Sequence, residues 1–303
     1  MDPTASDAGA SRAPTSPAAV PPPPRELDWR WAIIIGIAIG AFWLAGWRPR
    51  VRGLEHVPRR GGAVLAFNHH SYVDFIMLGW PIVREVRRPV RYIGKREAVE
   101  SPWLGWAARW GDVVKVDRQS LMGRSGAFRE AVEALRSGDL VAIAPEQTIS
   151  PSGELLPFRA GAVRMAQAAG VPIVPVVGWG SQRFRTKGGR FGRLVAVPVD
   201  TVFCEPIVVG PDEDPAEATD RLEAVMVRVL HDLQERHAKD APRGARWVPR
   251  RLGGGLPDHS EVLAAHLART RGWEGQEEGT PDGSEPPPAA LGDGALDDAG
   301  RDA

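Results

Sequence analysis

The chain has 303 residues with 43% apolar side chains, enough for one large domain or two small ones around a sizeable core. A single cysteine, Cys204, excludes an internal disulfide and a four-cysteine metal site, and its strand-like surroundings make it a small core residue. Basic and acidic side chains balance at 38 each, but nine acids and one arginine lie from Glu274 onward, leaving 37 basic against 29 acidic residues before it. That basic body suits an anionic partner: a phospholipid surface, a phosphorylated substrate, coenzyme A or nucleic acid. No recognised nucleic-acid-binding motif accompanies the charge, so nucleic acid is set aside.

Residues 1–24 are rich in Pro, Ala and Ser, with consecutive prolines at 21–24, and read as a disordered segment. Residues 25–50 hold an uncharged run from Trp31 to Trp47. As a helix it would be about 25 Å long, marginal against a hydrocarbon core of about 30 Å. Tryptophans 29, 31, 43 and 47 suit a membrane interface, and arginines on both sides leave the orientation unfixed. The run is expected to be a membrane-associated helix in one leaflet, with a buried core helix as the alternative.

Strand-like and helix-like segments alternate from Val51 to about Val209. Residues 61–68, 88–95, 112–118, 139–146 and 171–179 are short apolar or β-branched runs bounded by turn residues. Residues 194–209 read as a hairpin or two edge strands, because Pro198 and Pro206 argue against a central position. Helical periodicity covers 72–80, 123–139, 160–170 and 215–237. The alternation implies an α/β domain over 51–240, a mixed central sheet flanked by helices. A basic extension, 241–273, and an acidic disordered tail, 274–303, complete the chain.

The chemistry concentrates in Asn68-His69-His70-Ser71-Tyr72-Val73-Asp74, between a strand and a helix. Ser71 followed by Asp74 matches a capping box, a purely structural reason for both residues. It leaves room for catalysis. On one continuous helix His69 and Asp74 would face different ways, but a loop histidine can fold back onto the carboxylate. Such a pair fixes the imidazole tautomer and stabilises the cation formed when the other nitrogen takes a proton. A metal site would need ligands that the remaining histidines do not supply at a useful spacing. Arg118, Glu146 with Gln147 and Thr148, and Arg159 follow other strands, so one rim of the sheet gathers acid, base and cation.

These segments resemble the glycerolipid acyltransferase superfamily, typified by 1-acylglycerol-3-phosphate acyltransferases. Four blocks match in order: NHxSxxD at Asn68–Asp74, a lysine-led segment closing on Arg118, the PEGT-like Pro145-Glu146-Gln147-Thr148 with Phe158-Arg159-Ala160-Gly161 after it, and the apolar VPIVPV at 171–176. The resemblance implies transfer of a fatty acyl group from acyl-coenzyme A or acyl carrier protein to the hydroxyl of a lysophospholipid. 1-acyl-sn-glycerol 3-phosphate is the expected acceptor and phosphatidic acid the product. It implies His69 as general base, Asp74 orienting it, and direct attack without an acyl-enzyme. Asn68, Ser71, Arg118, Glu146, Gln147, Thr148 and Arg159 would bind substrate, with no cofactor and no metal. The enzyme would work on the cytoplasmic face of the plasma membrane. A different lipid head group, a lipid acyl-hydrolase and a non-catalytic lipid-binding protein are the alternatives.

Two positions depart from the pattern. The glycine of PEGT is Gln147, and the arginine expected after Thr148 is Ile149. A lost arginine removes a charged hydrogen bond to phosphate, worth about 1.5–3 kcal/mol. The resemblance leaves Arg159 to replace it, or a changed head group.

Overall fold

The computed structural model describes residues 22–23, 29–95, 114–116, 121–188 and 196–277. The expected disordered N-terminal segment lies outside them apart from Pro22 and Pro23, and so does most of the acidic tail. By its contacts the chain divides into two compact units, Met1–Val262 and Leu263–Ala303. The second is described only over the end of helix His259–Glu277.

Among the described residues, the first unit is built on a seven-stranded sheet. In chain order its strands are β1 (Arg48–Arg52), β2 (Ala63–Phe67), β3 (Val90–Lys95), β4 (Val114–Val116), β5 (Leu140–Ile143), β6 (Ile173–Trp179) and β7 (Pro198–Phe203). They lie in the order β1-β7-β6-β2-β5-β3-β4. Every neighbouring pair is parallel except β6 and β7. The sheet is therefore mixed, as the alternation implied.

Strand β2 explains why its sequence is apolar throughout. Val64 and Ala66 face one layer, made by Ala131 and Leu135 of α3 (Leu121–Arg136), Val163 and Ala166 of α4 (Gly161–Ala169), and Leu222, Met226 and Leu230 of α5 (Pro215–Ala238). Ala63, Leu65 and Phe67 face the other, where Leu78 of α2 (Asp74–Pro81) packs with Ile82 and Val86 of the following π-helical turn. Side chains alternate across a strand, so a strand buried on both faces needs no polar positions.

Three expectations change. The described part of 194–209, from residue 196, holds one strand, β7, which lies inside the sheet. The prolines do not forbid this, because Pro198 is the first strand residue and Pro206 lies beyond the last. What hid the arrangement is β1: its RPRVR sequence reads as a charged flank of the apolar helix, yet it pairs in parallel with β7 and takes the edge itself. Arg and Pro suit an edge that must not recruit further strands. The apolar run forms α1 (Trp29–Leu44), and Trp47 is not an interfacial anchor. It is buried, stacked on Phe42 at 5.3 Å and edge-on to Phe184 at 5.7 Å, in a cluster with Met77 and Val199. Finally, residues 241–256 pack into the first unit, with Val248 and Leu256 buried. Among the described residues, no helix is long and apolar enough to cross a membrane.

Candidate active site

Strand β2 ends at Phe67, and the next residue extends the sheet by side chain. Asn68 Oδ1 accepts from the Gly178 N–H at 2.7 Å, and its Nδ2 donates to the Gly178 carbonyl at 2.9 Å. The amide imitates one more residue of the β2–β6 ladder. Its Nδ2 also donates to His70 Nδ1 at 2.9 Å, so His70 carries its proton on Nε2.

The two histidines are thereby separated. His70 is buried, edge-on to Trp179 at 5.5 Å, and burial lowers its pKa to about 4. It is neutral at pH 7. The His69 side chain keeps 24% of its surface exposed and places Nδ1 3.2 Å from Asp74 Oδ2. That nitrogen donates to the carboxylate, which leaves Nε2 as the lone-pair nitrogen.

Asp74 is the centre of the loop. Its Oδ2 also accepts from the backbone N–H groups of His70 and Ser71, each at 2.7 Å, and its Oδ1 accepts from Ser181 Oγ at 2.5 Å. Four donors meet one buried, acceptor-only group. This is half of the expected capping box. The carboxylate reaches back to the Ser71 N–H, but Ser71 Oγ turns away and donates to the Arg185 carbonyl at 2.7 Å. Among the described residues its only backbone donor is the Val73 N–H, at 3.4 Å.

Glu146 sits inward. Its Oε1 accepts from the His69 N–H at 2.9 Å and its Oε2 from the Leu156 N–H at 3.0 Å. Burial pushes its carboxyl up to about 8, against the pull of those two donors. The His69 carbonyl accepts from the Ser150 N–H at 2.8 Å. The loops after β2 and β5 are thus joined on both sides of the histidine, and Glu146 acts on the loop 68–74 through the backbone.

The departing positions have clear outcomes. Gln147 adopts φ 59°, the left-handed region that favours glycine. Ile149 is buried. Lys187 nonetheless brings a cation to Thr148, its Nζ donating to Thr148 Oγ1 at 3.2 Å, while the exposed Arg159 donates its backbone N–H to the Pro145 carbonyl at 3.1 Å. The Arg185 guanidinium lies 5.3 Å over the Tyr72 ring. Arg118 lies outside the described residues. Among those described, no cluster of three His, Cys, Asp or Glu could hold a metal ion.

The structure thus brings Asn68, His69, Ser71, Asp74, Glu146 and Thr148 into one rim constellation. Sequence reasoning missed Ser181, Gly178, Arg185 and Lys187. The apolar strand VPIVPVVGW followed by Gly180-Ser181 was the available signal, since residues just past a strand end reach the same rim.

The sequence profile of the Acyltransferase family matches residues 48–179. A 1-acyl-sn-glycerol-3-phosphate acyltransferase of Limnanthes alba is 29% identical over 218 residues, covering 70% of this chain and 71% of that protein. The human 1-acyl-sn-glycerol-3-phosphate acyltransferase alpha is 31% identical over 217 residues, covering 70% and 73%. The crystal structure of the 1-acyl-sn-glycerophosphate (LPA) acyltransferase PlsC of Thermotoga maritima superposes with a TM-score of 0.56 at 26% identity, covering 67% of this chain and 79% of that one. With its rim of acid, base and cation at the end of β2, and this similarity over most of its length, the chain belongs to the acyltransferase family and is an O-acyltransferase.

Proposed function

We propose that the protein transfers a fatty acyl group from an acyl thioester to the free hydroxyl of 1-acyl-sn-glycerol 3-phosphate, giving phosphatidic acid. The observation that carries this reading is the His69–Asp74 pair: one ring nitrogen donates to a fully hydrogen-bonded carboxylate and the other is left as a base. Nε2 removes the proton of the acceptor hydroxyl as its oxygen attacks the thioester carbonyl carbon. The tetrahedral oxyanion collapses, the C–S bond breaks, and the leaving thiolate takes the proton from Nε2. Asp74 stabilises the imidazolium between the two transfers. Ser71 is no nucleophile in this scheme, because it is buried and its hydroxyl donates a hydrogen bond to the Arg185 carbonyl. The step requires no cofactor.

The acceptor's phosphate lies by Thr148, where Lys187 supplies positive charge that Ile149 cannot. Glu146 is a positioning residue and does not touch substrate. Membrane association is part of the same reading. Trp29, Ile33, Ile37 and Leu44 are exposed and share one stripe of α1, a face suited to a single leaflet on the cytoplasmic side, where acyl thioesters are available.

The test is acyl transfer by purified wild type, His69→Ala and His70→Ala. Lysophosphatidic acid is offered beside other lysophospholipids, with coenzyme A and carrier-protein thioesters as donors. General-base catalysis contributes about 10²–10⁴-fold. The expected result is a loss of that size for His69→Ala alone, on lysophosphatidic acid. Thioester cleavage at the same rate without acceptor identifies a hydrolase. Activity on another acceptor alone identifies a changed head-group site.

A further inference from the structure

Thr148 of the acceptor side follows β5, on one flank of β2, and Lys187 reaches it from the segment after β6. The other flank carries a second feature. A cleft of about 840 Å³ opens over β1 and β7, lined by Arg50, Arg52, Arg183, Arg236, Asp200 and Trp247 among others. Among the described residues, Asp200 and Asp240 are the acids in the lining with the four arginines, and Asp232, outside it, pairs with Arg236 at 2.5 Å.

The cleft is at the rim that carries the active site. The register pairs Phe67 with Val176, Trp179 with Asp200, and Asp200 with Arg50. Arg50 and Asp200 therefore lie level with the residues just past the end of β2. The lateral offset from β2 to β1 is three strand spacings, about 14 Å. The connection is built of packed contacts. Ser181 bonds Asp74, and two residues later the Arg183 guanidinium stacks 4.0 Å over the Trp247 ring. Gln182 Nε2 donates to the Trp247 carbonyl at 3.3 Å.

The floor is preorganised. Asp200 Oδ2 accepts from His237 Nε2 at 2.6 Å and from Arg50 at 2.7 Å, and His237 is edge-on to Trp247 at 6.5 Å. The aspartate thus fixes an arginine whose own side chain remains 60% exposed. Arg52 follows two residues later on the same face of β1, and Arg236 projects from the end of α5. Concave volumes of about 300–1,000 Å³ hold small molecules rather than a flat lipid surface. Clustered guanidinium groups select phosphate.

We propose that this cleft binds the phosphate-bearing nucleotide end of a coenzyme A thioester, whose pantetheine arm runs along the rim to His69. The inference rests on the acyl-transfer reading for its donor. Donor and acceptor then reach His69 from opposite flanks of β2, and the cleft gives coenzyme A thioesters an anchor that a shorter thioester lacks.

The experiment compares wild type with Arg52→Ala, Arg236→Ala and the double variant, all surface substitutions. Adenosine 3′,5′-bisphosphate binding is measured by calorimetry, which needs no turnover and so stands even if the acyl-transfer reading fails. Steady-state kinetics follow with an acyl-coenzyme A and with the matching S-acyl pantetheine, which has no nucleotide. The expected result is bisphosphate binding to wild type, weakened about tenfold or more per arginine removed. KM for acyl-coenzyme A rises in parallel, while kcat and the pantetheine-thioester kinetics are unchanged. Arg52→Lys restores part of the loss. The proposal is overturned if wild type does not bind the bisphosphate, if the variants bind it equally well, if only the acceptor KM moves, or if the variants lose only their binding to anionic phospholipid vesicles.

Discussion

Ser181 Oγ donates a 2.5 Å hydrogen bond to the Asp74 oxygen that does not meet His69, so the histidine's partner is held from both sides by separate strand ends. Ser181→Ala leaves that oxygen without this donor. A hydrogen bond to a charged group contributes about 1.5–3 kcal/mol, and thermal unfolding should register a loss of that order. The kinetic signature is a fall in kcat of about 10–100-fold, the scale of small misplacements, with KM for both substrates unchanged. Ser181→Thr should recover much of it, which a general packing defect would not predict.

Gly180 sets the direction in which Ser181 leaves β6. Its φ is 112°, and an added Cβ would lie 2.2 Å from the Pro198 carbonyl oxygen. Gly180→Ala must therefore push β6 away from β7 or turn Ser181 off Asp74. The expected outcome is a loss of both stability and kcat, larger than for Ser181→Ala, measured by denaturant melts and turnover on the same preparation.

Gln147 holds a left-handed backbone at φ 59° without being glycine. That conformation costs an L-residue about 1–2 kcal/mol, partly offset by glycine's greater freedom in the unfolded chain. Gln147→Gly should raise stability by up to about 1 kcal/mol. Gln147→Val should lower it, because a β-branched side chain fits this region worst. Paired denaturation curves decide between these signs.

His70 gives the fold an acid limit. Its folded-state pKa is lowered from 6.5 to about 4, because burial disfavours the cation. Above pH 6.5 it is neutral in both folded and unfolded chains and costs nothing. As pH falls from 6.5 towards 4 the unfolded chain takes up the proton first, so stability is lost through that window. The total is about 3 kcal/mol for a shift of this size. His70→Phe should flatten this part of the stability–pH profile, measured as melting temperature from pH 4 to 7, whatever it does to the stability at neutral pH.

The strands with uninterrupted apolar runs were legible because burial on both faces leaves a direct trace in sequence, as in β2 and β6. Strand β1 was not. Its one proline and three arginines, RPRVR, carry an edge's composition, and its partner β7 is 150 residues away at the Arg50–Asp200 contact. Missing β1 turned β7 into an edge by default. At the site, His69 and Asp74 were readable because five residues of local chain hold them together. Ser181, Lys187 and the cleft arginines were not, because only the sheet order places them on one rim. Glu146 was recognised, with substrate binding as its expected role, and its two oxygens accept from backbone N–H groups. Nothing in a carboxylate's identity tells whether it faces ligand or the N–H groups of His69 and Leu156.

The closure of Asp74 onto the N–H groups of His70 and Ser71 makes residues 69–74 a small ring fastened through main-chain atoms. Its demand is on length rather than lettering. The exposed Tyr72 and the half-buried Val73 give neither backbone nor side-chain atoms to the carboxylate, so what they are matters less than that there are two of them. One residue more or fewer would carry the carboxylate past its donors and unfasten the imidazole in the same stroke. A segment under that constraint can drift widely in composition while its interval stays fixed, which is why a spacing, more than any run of identical residues, announces this chemistry in the chain.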